Sequence, residues 1–336
     1  MGNEYIEGKV TIEDVANALG ISKSTVSRAI SGKGRISKET TDRVLSYIKE
    51  HNYKPNPIAK GLSEARTYNI CWVAPGDSSM TSLPFFQRCM AGLVDAAATE
   101  NYDILMGVVY DDNISHLKRI VNNHKVDGVI LGRTLINDES VAYLLESKIP
   151  FVVIGSTDTK GVVQIDNDHL KACNELTSIL IMKGIRRFAL IGGDINHVVN
   201  RTRKQGFLNA LSEQKIDISE DDIFLNCLSD EDVERATDTA LRNGAECIIC
   251  MDDGICSATI AKLKRDEISI PDDIKIASFY NSELLINNQP SITALQYDPK
   301  ELGISACKTL FDILNRDEVE EKVMLSYEVQ LKASTQ

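Results

Sequence analysis

Residues 10–32 read VTIEDVANALGISKSTVSRAISG, and the rhythm of their apolar side chains decides the fold of the amino-terminal head. Thr11 is placed to cap a helix in which Ile12, Val15, Ala16 and Leu19 recur at helical spacing, with Glu13 and Asp14 in its first turn. Gly20 stops that helix, and Ile21 tucks a tight turn against the core. Ser22 caps a second short helix over 23–30, whose Val26, Ala29 and Ile30 point inward. Its other face carries Lys23, Ser24, Ser27 and Arg28, all of them hydrogen-bond donors. Ser31-Gly32-Lys33-Gly34 forms a loop. Ser37 then caps a third helix, which runs to about His51 on Val44, Leu45 and Ile48. Three short helices with a Gly-Ile-Ser turn between the first two make a helix-turn-helix.

The charge distribution sets this head apart from the rest of the chain. Over 336 residues the net charge is −12, an unfavourable balance for binding nucleic acid. Between Lys9 and Leu62, however, ten Lys and Arg stand against five Asp and Glu. That stretch is therefore +5, and the remainder is −17. A basic head on an acidic body gives only the head an electrostatic reason to approach phosphates. The length suffices for two or three domains.

No apolar run nears the roughly 18 residues that span a bilayer, and residues 1–9 have no secretory apolar stretch. The expected setting is the bacterial cytoplasm, at the nucleoid, with no membrane partner. Eight scattered cysteines, mostly inside apolar runs, read as reduced core thiols. Cys247 and Cys250 lie three apart on a strand-like run, so they face opposite ways and cannot share one metal ion.

Tyr53-Lys54-Pro55-Asn56-Pro57 breaks the third helix and restarts the chain, with Asn56 as an N-cap and Pro57 at the first helical position. The helix over 58–64 has about two turns and contains Gly61. An isolated helix of fewer than roughly 12 residues is marginal in water. It is expected to order only on DNA, beside the same helix of a second subunit.

From Tyr68 the pattern becomes short apolar runs alternating with amphipathic helices. Strands are predicted at 69–74, 102–108, 126–131, 151–154, 188–191, 247–251 and 274–279; helices are predicted at 85–100, 167–183, 202–212, 231–242 and 254–265. Such alternation builds parallel sheets covered by helices on both faces. It occurs twice, before and after about Ile165, which predicts two doubly wound α/β subdomains.

Residues 10–32, continued by RISKETTDRVLSYIKEHNYKPNPIAKGL over 35–62, resemble the DNA-binding head of the lac-repressor (LacI/GalR) family almost residue for residue. The body resembles that family's periplasmic-binding-protein-like effector domain at Leu83-Pro84-Phe85-Phe86, Val126-Asp127-Gly128-Val129-Ile130, Ile165-Asp166-Asn167, Arg203 with Gly206-Phe207, and residues 290–303. The implied division is a head over 1–55 and a hinge helix with linker over 56–67. One effector subdomain then takes 68–164 plus 295–325, the other 165–294 plus 326–336.

The resemblance implies a homodimer on a palindromic operator of double-stranded DNA, acting as a regulator, most simply a repressor. Lys23 and Ser24 would reach base edges, and Arg28 a guanine or a phosphate. Thr11, Ser22, Thr25, Ser27, Asn56 and Ala59 would position the head, and Leu62 would wedge into the minor groove. A small effector, a sugar or sugar derivative, would sit where strands end in the cleft, near Phe86, Asp166, Arg203, Asp252, Tyr280 and Tyr297. No leucine heptad follows the last apolar run, so a dimer without a tetramerising tail is expected.

Departures from the family pattern bear on that effector. Asp252-Asp253 stands where the family has Asn-Asp, and Phe279-Tyr280 where it has Phe-Asp. An aspartate that binds sugar in the lac repressor is Gly155 here. Arg133, just past a strand, would add positive charge, so an anionic sugar derivative is an expectation of the sequence.

No catalytic residue, cofactor or metal is expected. The five histidines show no nucleophile or metal spacing, and Gly192-Gly193-Asp194 lacks the Lys-Ser/Thr of a phosphate loop. The alternatives on the same body are an enzyme, a cytoplasmic small-molecule-binding protein or a secreted solute-binding protein. None of these explains the basic head.

Overall fold

The computed structural model describes residues 10–32, 34–54, 61–62, 64–76, 84–110 and 113–336. The chain divides into two compact units, Met1–Thr67 and Tyr68–Gln336.

In the first unit, α1 (Ile12–Leu19), α2 (Lys23–Ser31) and α3 (Lys38–Glu50) each begin on a side-chain cap. Thr11 and Asp14 form a reciprocal capping box, Ser22 accepts from the Thr25 amide, and Ser37 accepts from that of Thr40. Gly20 ends α1 in the left-handed region at φ 67°, which a side chain would strain. The Ile21 amide then bonds back to the Ala16 carbonyl, fixing the turn into α2. Val15, Ala16, Val26, Ala29, Val44 and Tyr53 form a small core, while Leu45 stays half in water. A core this small leaves little reserve.

The second unit holds two six-stranded sheets wound the same way. The first contains β1 (Asn69–Pro75), β2 (Asp103–Val109), β3 (Gly128–Leu131), β4 (Phe151–Ile154), β5 (Val163–Asn167) and β11 (Lys322–Leu325), in the order β11-β5-β4-β3-β1-β2. The second contains β6 (Phe188–Ile191), β7 (Ile223–Phe224), β8 (Cys247–Cys250), β9 (Lys275–Ser278), β10 (Thr293–Gln296) and β12 (Glu328–Gln330), in the order β12-β10-β9-β8-β6-β7. Among the described residues the strands pair in parallel, except β10 with β12. The chain passes between the sheets after β5, after β10 and after β11.

Helices cover both faces of each sheet, so the central strands are apolar on both sides. On the first sheet, α4 (Pro84–Thr99) and α12 (Pro299–Asn315) bury Ile70, Trp72, Ile130 and Val152. The opposite face packs Cys71, Val73, Val129 and Val153 on α5 (Ser115–Asn122) and α6 (Glu139–Ser147). On the second sheet, α7 (His169–Met182) and α8 (Val198–Glu213) take one face. The other is taken by α9 (Asp230–Arg242) and α10 (Asp253–Arg265). Cys247 belongs to the first of these cores and Cys250 to the second, on opposite sides of β8. A short α11 (Glu283–Ile286) follows β9.

The two halves of the body are stitched together at the strand ends. The loop after β3 meets the loop after β6 in an antiparallel bridge, Leu135 opposite His197. The Ile136 amide donates to the Asn196 carbonyl at 2.9 Å, and the Val198 amide to that of Thr134 at 3.2 Å. Arg133 Nη1 lies 3.0 Å from His197 Nε2, and Arg201 pairs with Asp158 at 2.7 Å. These contacts form a clasp across the cleft.

Candidate functional site

On the head, α2 presents one polar face. Lys23, Ser24, Ser27 and Arg28 are exposed there, while Val26 and Ala29 anchor the opposite face in the core. Several hydroxyls are engaged within the head. Thr11 Oγ1 donates to Asp14 at 2.7 Å, a bond that also holds the Asp14 carboxyl below its ordinary value. Ser22 Oγ serves the cap and lies 2.7 Å from Ser24 Oγ and 2.8 Å from Thr25 Oγ1. Lys23 reaches back to Glu13 at 2.9 Å, an exposed pair of little energetic weight that a phosphate can displace. The stem of Arg28 runs beside Gly34, where even a Cβ would come within 3.3 Å of its Cδ. The arrangement is a rigid helix offering a lysine, an arginine and small hydroxyls to a groove.

Leu62 is 86% exposed, in a short helical stretch with a buried Gly61. An apolar side chain so far into water has no packing role within its own unit. Asn56 and Ala59 lie outside the described residues.

In the body, Asp166, Arg203, Asp252, Tyr280 and Tyr297 gather around the carboxyl ends of strands, where ligands of open α/β sheets bind. Asp166, at the end of β5, is buried. It accepts from Ser156 Oγ and from the Asn167 amide, both at 2.8 Å, and faces His169 Nε2 at 3.4 Å. Burial alone would raise this carboxyl, but the imidazole and the two hydrogen bonds hold it below its ordinary value. His169 Nδ1 lies 3.1 Å from the Tyr297 hydroxyl. With a carboxylate against Nε2, the imidazole proton sits on Nε2, and Nδ1 accepts from the tyrosine. Burial pushes the His169 pKa down more strongly than Asp166 pulls it up.

Arg203, from α8, donates Nη1 to the Met251 carbonyl at 2.7 Å. Asp252 caps α10 by accepting from the Ile255 amide at 2.8 Å. Its carboxyl is pushed up by burial, with Asp253 alongside adding to the shift. Tyr280 is buried, lies parallel to Tyr297 at 6.2 Å, and meets Phe85 edge-on at 5.9 Å.

Phe86 is placed in the core against Trp72, with ring centroids 6.5 Å apart. It is the neighbouring Phe85 that packs against the cores of both halves of the body. Arg133 sits at the clasp, beside His197. At Gly155 the backbone has φ +121°, so the loop has a shape that disfavours any side chain at this position.

Three polar groups that the sequence reading passes over have buried atoms with no hydrogen-bond partner among the described residues: Trp72 Nε1, Asn167 Oδ1 and Asp253 Oδ2. Arg203 Nε is a fourth such atom. Native interiors satisfy nearly all buried polar atoms, so the orphans on Asn167, at the end of β5, and on Arg203 and Asp253, which follow or bond the segment after β8, mark a place for a ligand or water, whereas Trp72 lies within β1.

The buried pair His169–Asp166 makes stability depend on pH. His169 stays neutral in the fold where the unfolded chain protonates it, so the unfolded state binds more protons below about pH 6.5. Asp166, depressed in the fold, adds stability above its ordinary value that is lost as pH falls through its folded one. Calorimetry is expected to show the body's melting temperature falling from pH 7 to pH 5. His169→Gln should flatten that slope.

Among the described residues no helix is long and apolar enough to cross a membrane, and no cluster of His, Cys, Asp or Glu suits a metal ion. Comparison with known proteins matches residues 11–56 to the family model described as bacterial regulatory proteins, lacI family. Residues 177–335 match a periplasmic binding protein-like domain. Catabolite control protein A of Staphylococcus xylosus is 27% identical over 97% of this chain and 99% of its own. The solved structure of a probable maltose operon transcriptional repressor from Staphylococcus aureus covers 81% of this chain and 99% of its own, at 25% identity and TM-score 0.75. The lac repressor dimer bound to operator and an anti-inducer shares the fold over 98% of this chain and 99% of its own, at 20% identity and TM-score 0.83. A head of this geometry, on a body of two like-wound sheets, with both matching in sequence, places the chain in the LacI/GalR family of DNA-binding transcriptional regulators, which are not enzymes.

Proposed function

We propose that this chain is a ligand-responsive, sequence-specific regulator, acting as a repressor, that binds a palindromic operator as a homodimer. The observation that carries the reading is the exposed face of α2, Lys23, Ser24, Ser27 and Arg28, on the same chain as a two-lobed body. Lys23, Ser24 and Arg28 read the major groove. Thr11, Ser22, Thr25 and Ser27 set the head on the backbone, and Asn56, Ala59 and Leu62 belong to a hinge that engages the minor groove. The working division is head 1–55 and hinge 56–67; because β5 belongs to the first sheet and β10 to the second, the effector subdomains are 68–167 with 297–325 and 168–296 with 326–336, not divided at 164 and 295 as the sequence suggests. The setting is the bacterial cytoplasm.

A small carbohydrate-like metabolite in the cleft is the signal. Relatives in the family support that class: one solved structure, of a regulator bound to cellobiose, has TM-score 0.72 to this chain. A ligand shifts the balance between body states only by its difference in affinity for them. The clasp between residues 133–136 and 195–198 is the contact that such a ligand strengthens or opens. Selection of bound duplexes from a random pool, repeated with a metabolite panel, tests the proposal. A palindromic consensus whose occupancy one metabolite alters is the expected result, and an unenriched pool contradicts it.

The clasp can be tested without a ligand. Arg133→Ala combined with Asp158→Ala removes its side-chain contacts while leaving the backbone bridge. Loss of about 1 kcal/mol speeds local opening roughly fivefold. Hydrogen exchange at the Ile136 and Val198 amides should rise by that factor, with other amides of the body unchanged. Unaltered exchange at these two amides would remove the clasp from the switch.

A further inference from the structure

We infer that Glu13 and Lys23 act as one unit that reads a single C·G base pair in each half-site, Glu13 accepting from the cytosine amino group and Lys23 donating to the guanine. The inference rests on the reading of α2 as the helix that enters the major groove. It adds Glu13, which lies outside that helix, to the residues that set specificity.

The face of α2 is rich in donors and carries no acid: its exposed residues include Lys23, Ser24, Ser27 and Arg28. A carboxylate reaches this face from the neighbouring helix. Glu13 lies in the first turn of α1, and one of its oxygens stands 2.9 Å from Lys23 Nζ, with both side chains more than half exposed. Asp14 beside it is consumed locally, since one oxygen accepts from both the amide and the hydroxyl of Thr11. The meeting of Glu13 with Lys23 is set by the fold of the head. Val15 and Ala16 of α1 share one core with Val26 and Ala29 of α2, and the Ile21 amide closes the turn between the helices.

A carboxylate on a surface that meets DNA has few partners. Phosphates repel it, and most groups on the edge of the major groove are acceptors. The donors there are the amino groups of cytosine and adenine. Adenine sets its N7 acceptor beside N6, which repels a carboxylate, whereas cytosine shows N4 with no acceptor beside it. Guanine, the partner of cytosine, offers O6 and N7 to an ammonium. Cytosine N4 and guanine O6 are joined by a Watson–Crick hydrogen bond, so they stand roughly 2.9 Å apart. That matches the spacing of the Glu13 oxygen and the Lys23 nitrogen. The ion pair can therefore lie along the base pair, acid to amino group and ammonium to carbonyl. On other sequences a phosphate that takes Lys23 leaves Glu13 uncompensated in a negative field, which penalises random DNA.

The test selects bound duplexes from a random pool with the full chain and with its Glu13→Ala and Glu13→Gln variants. The unaltered chain should enrich one C·G pair at a fixed position of each half-site. Changing that pair to T·A, which sets an acceptor before Glu13 and a donor before Lys23, should weaken binding about tenfold. In Glu13→Ala the same change should cost less than about twofold, while the other positions keep their penalties. Binding of this variant to random duplexes should tighten, with a log–log salt slope steeper by about 0.9, the mark of one more phosphate contact by the freed Lys23. That gain also shows that the head is folded. Glu13→Gln, whose amide can accept from N6 and donate to N7, should move the preference from cytosine to adenine. A consensus unchanged in both variants, or one without such a C·G pair, overturns the inference. If a palindrome is enriched and responds to Lys23→Ala but not to Glu13→Ala, the groove reading of α2 stands and the part given to Glu13 falls. If no palindrome is enriched at all, the groove reading falls as well.

Discussion

Gly303→Val should destabilise the body by about 3–5 kcal/mol, enough to lower its melting temperature by roughly 6–20 °C. The reason is the contact between α4 and α12, where two glycines let the backbones touch. A Cβ on Gly303 would stand 2.1 Å from the Cys89 carbonyl oxygen, and one on Gly92 would stand 2.0 Å from that of Lys300. Both obstacles are backbone, so relief requires moving a whole helix. That movement would open the core formed by Leu93, Leu302, Ala306 and Leu310 over the first sheet. In an open helix, replacing glycine gains stability, by up to about 1 kcal/mol for alanine. The sign of the change therefore decides the matter: a raised melting temperature would mean that the helices do not approach as described.

Leu62→Ala should weaken binding to the selected operator by roughly thirty- to a hundredfold while changing binding to random duplexes by less than about twofold. Random binding comes from phosphate contacts by basic residues, which the substitution leaves in place. Operator binding in addition needs a wedge that kinks the duplex, and Leu62 holds its side chain 86% in water, ready for such a partner. An ordinary linker leucine would lose nothing, or would lose equally on both DNAs. Anisotropy titrations on the two duplexes at one salt concentration distinguish these outcomes.

The head was legible because its signals are local. Thr11, Ser22 and Ser37 are caps next to the helices they start, and the apolar spacing shows which face is buried. Buried parallel strands such as β6 and β8 also read plainly, as unbroken apolar runs. Other elements did not. β5 is Val-Gln-Ile-Asp-Asn, polar because its end lines the cleft, and β11 and β12 lie at sheet edges with exposed residues between half-buried ones. The seven-strand, five-helix reading also leaves out α5, α6 and α12, the last of which carries a glycine pressed against α4.

The cleft was legible to within one residue, and one residue matters there. Phe85 and Phe86 differ by about 100° around a helix, which sends one ring toward Tyr280 and the other into the core. Asp252 and Asp253 straddle the start of α10, so one is consumed as a cap and the other keeps an unpartnered oxygen. Arg133 reads as added charge for a ligand in sequence, yet in the fold it meets His197 from the other half. Such distinctions depend on side-chain direction and on contacts across the chain, which spacing alone does not record.

The central claim is that the head reads DNA as a symmetric pair. Sedimentation of the full chain with the selected duplex, paired with anisotropy on that duplex and on one with a single half-site, tests it most directly. Two chains per palindrome, and affinity at least about a thousandfold above random DNA that collapses on the single half-site, is the expected result. One chain per duplex, with equal affinity for both DNAs, would contradict it.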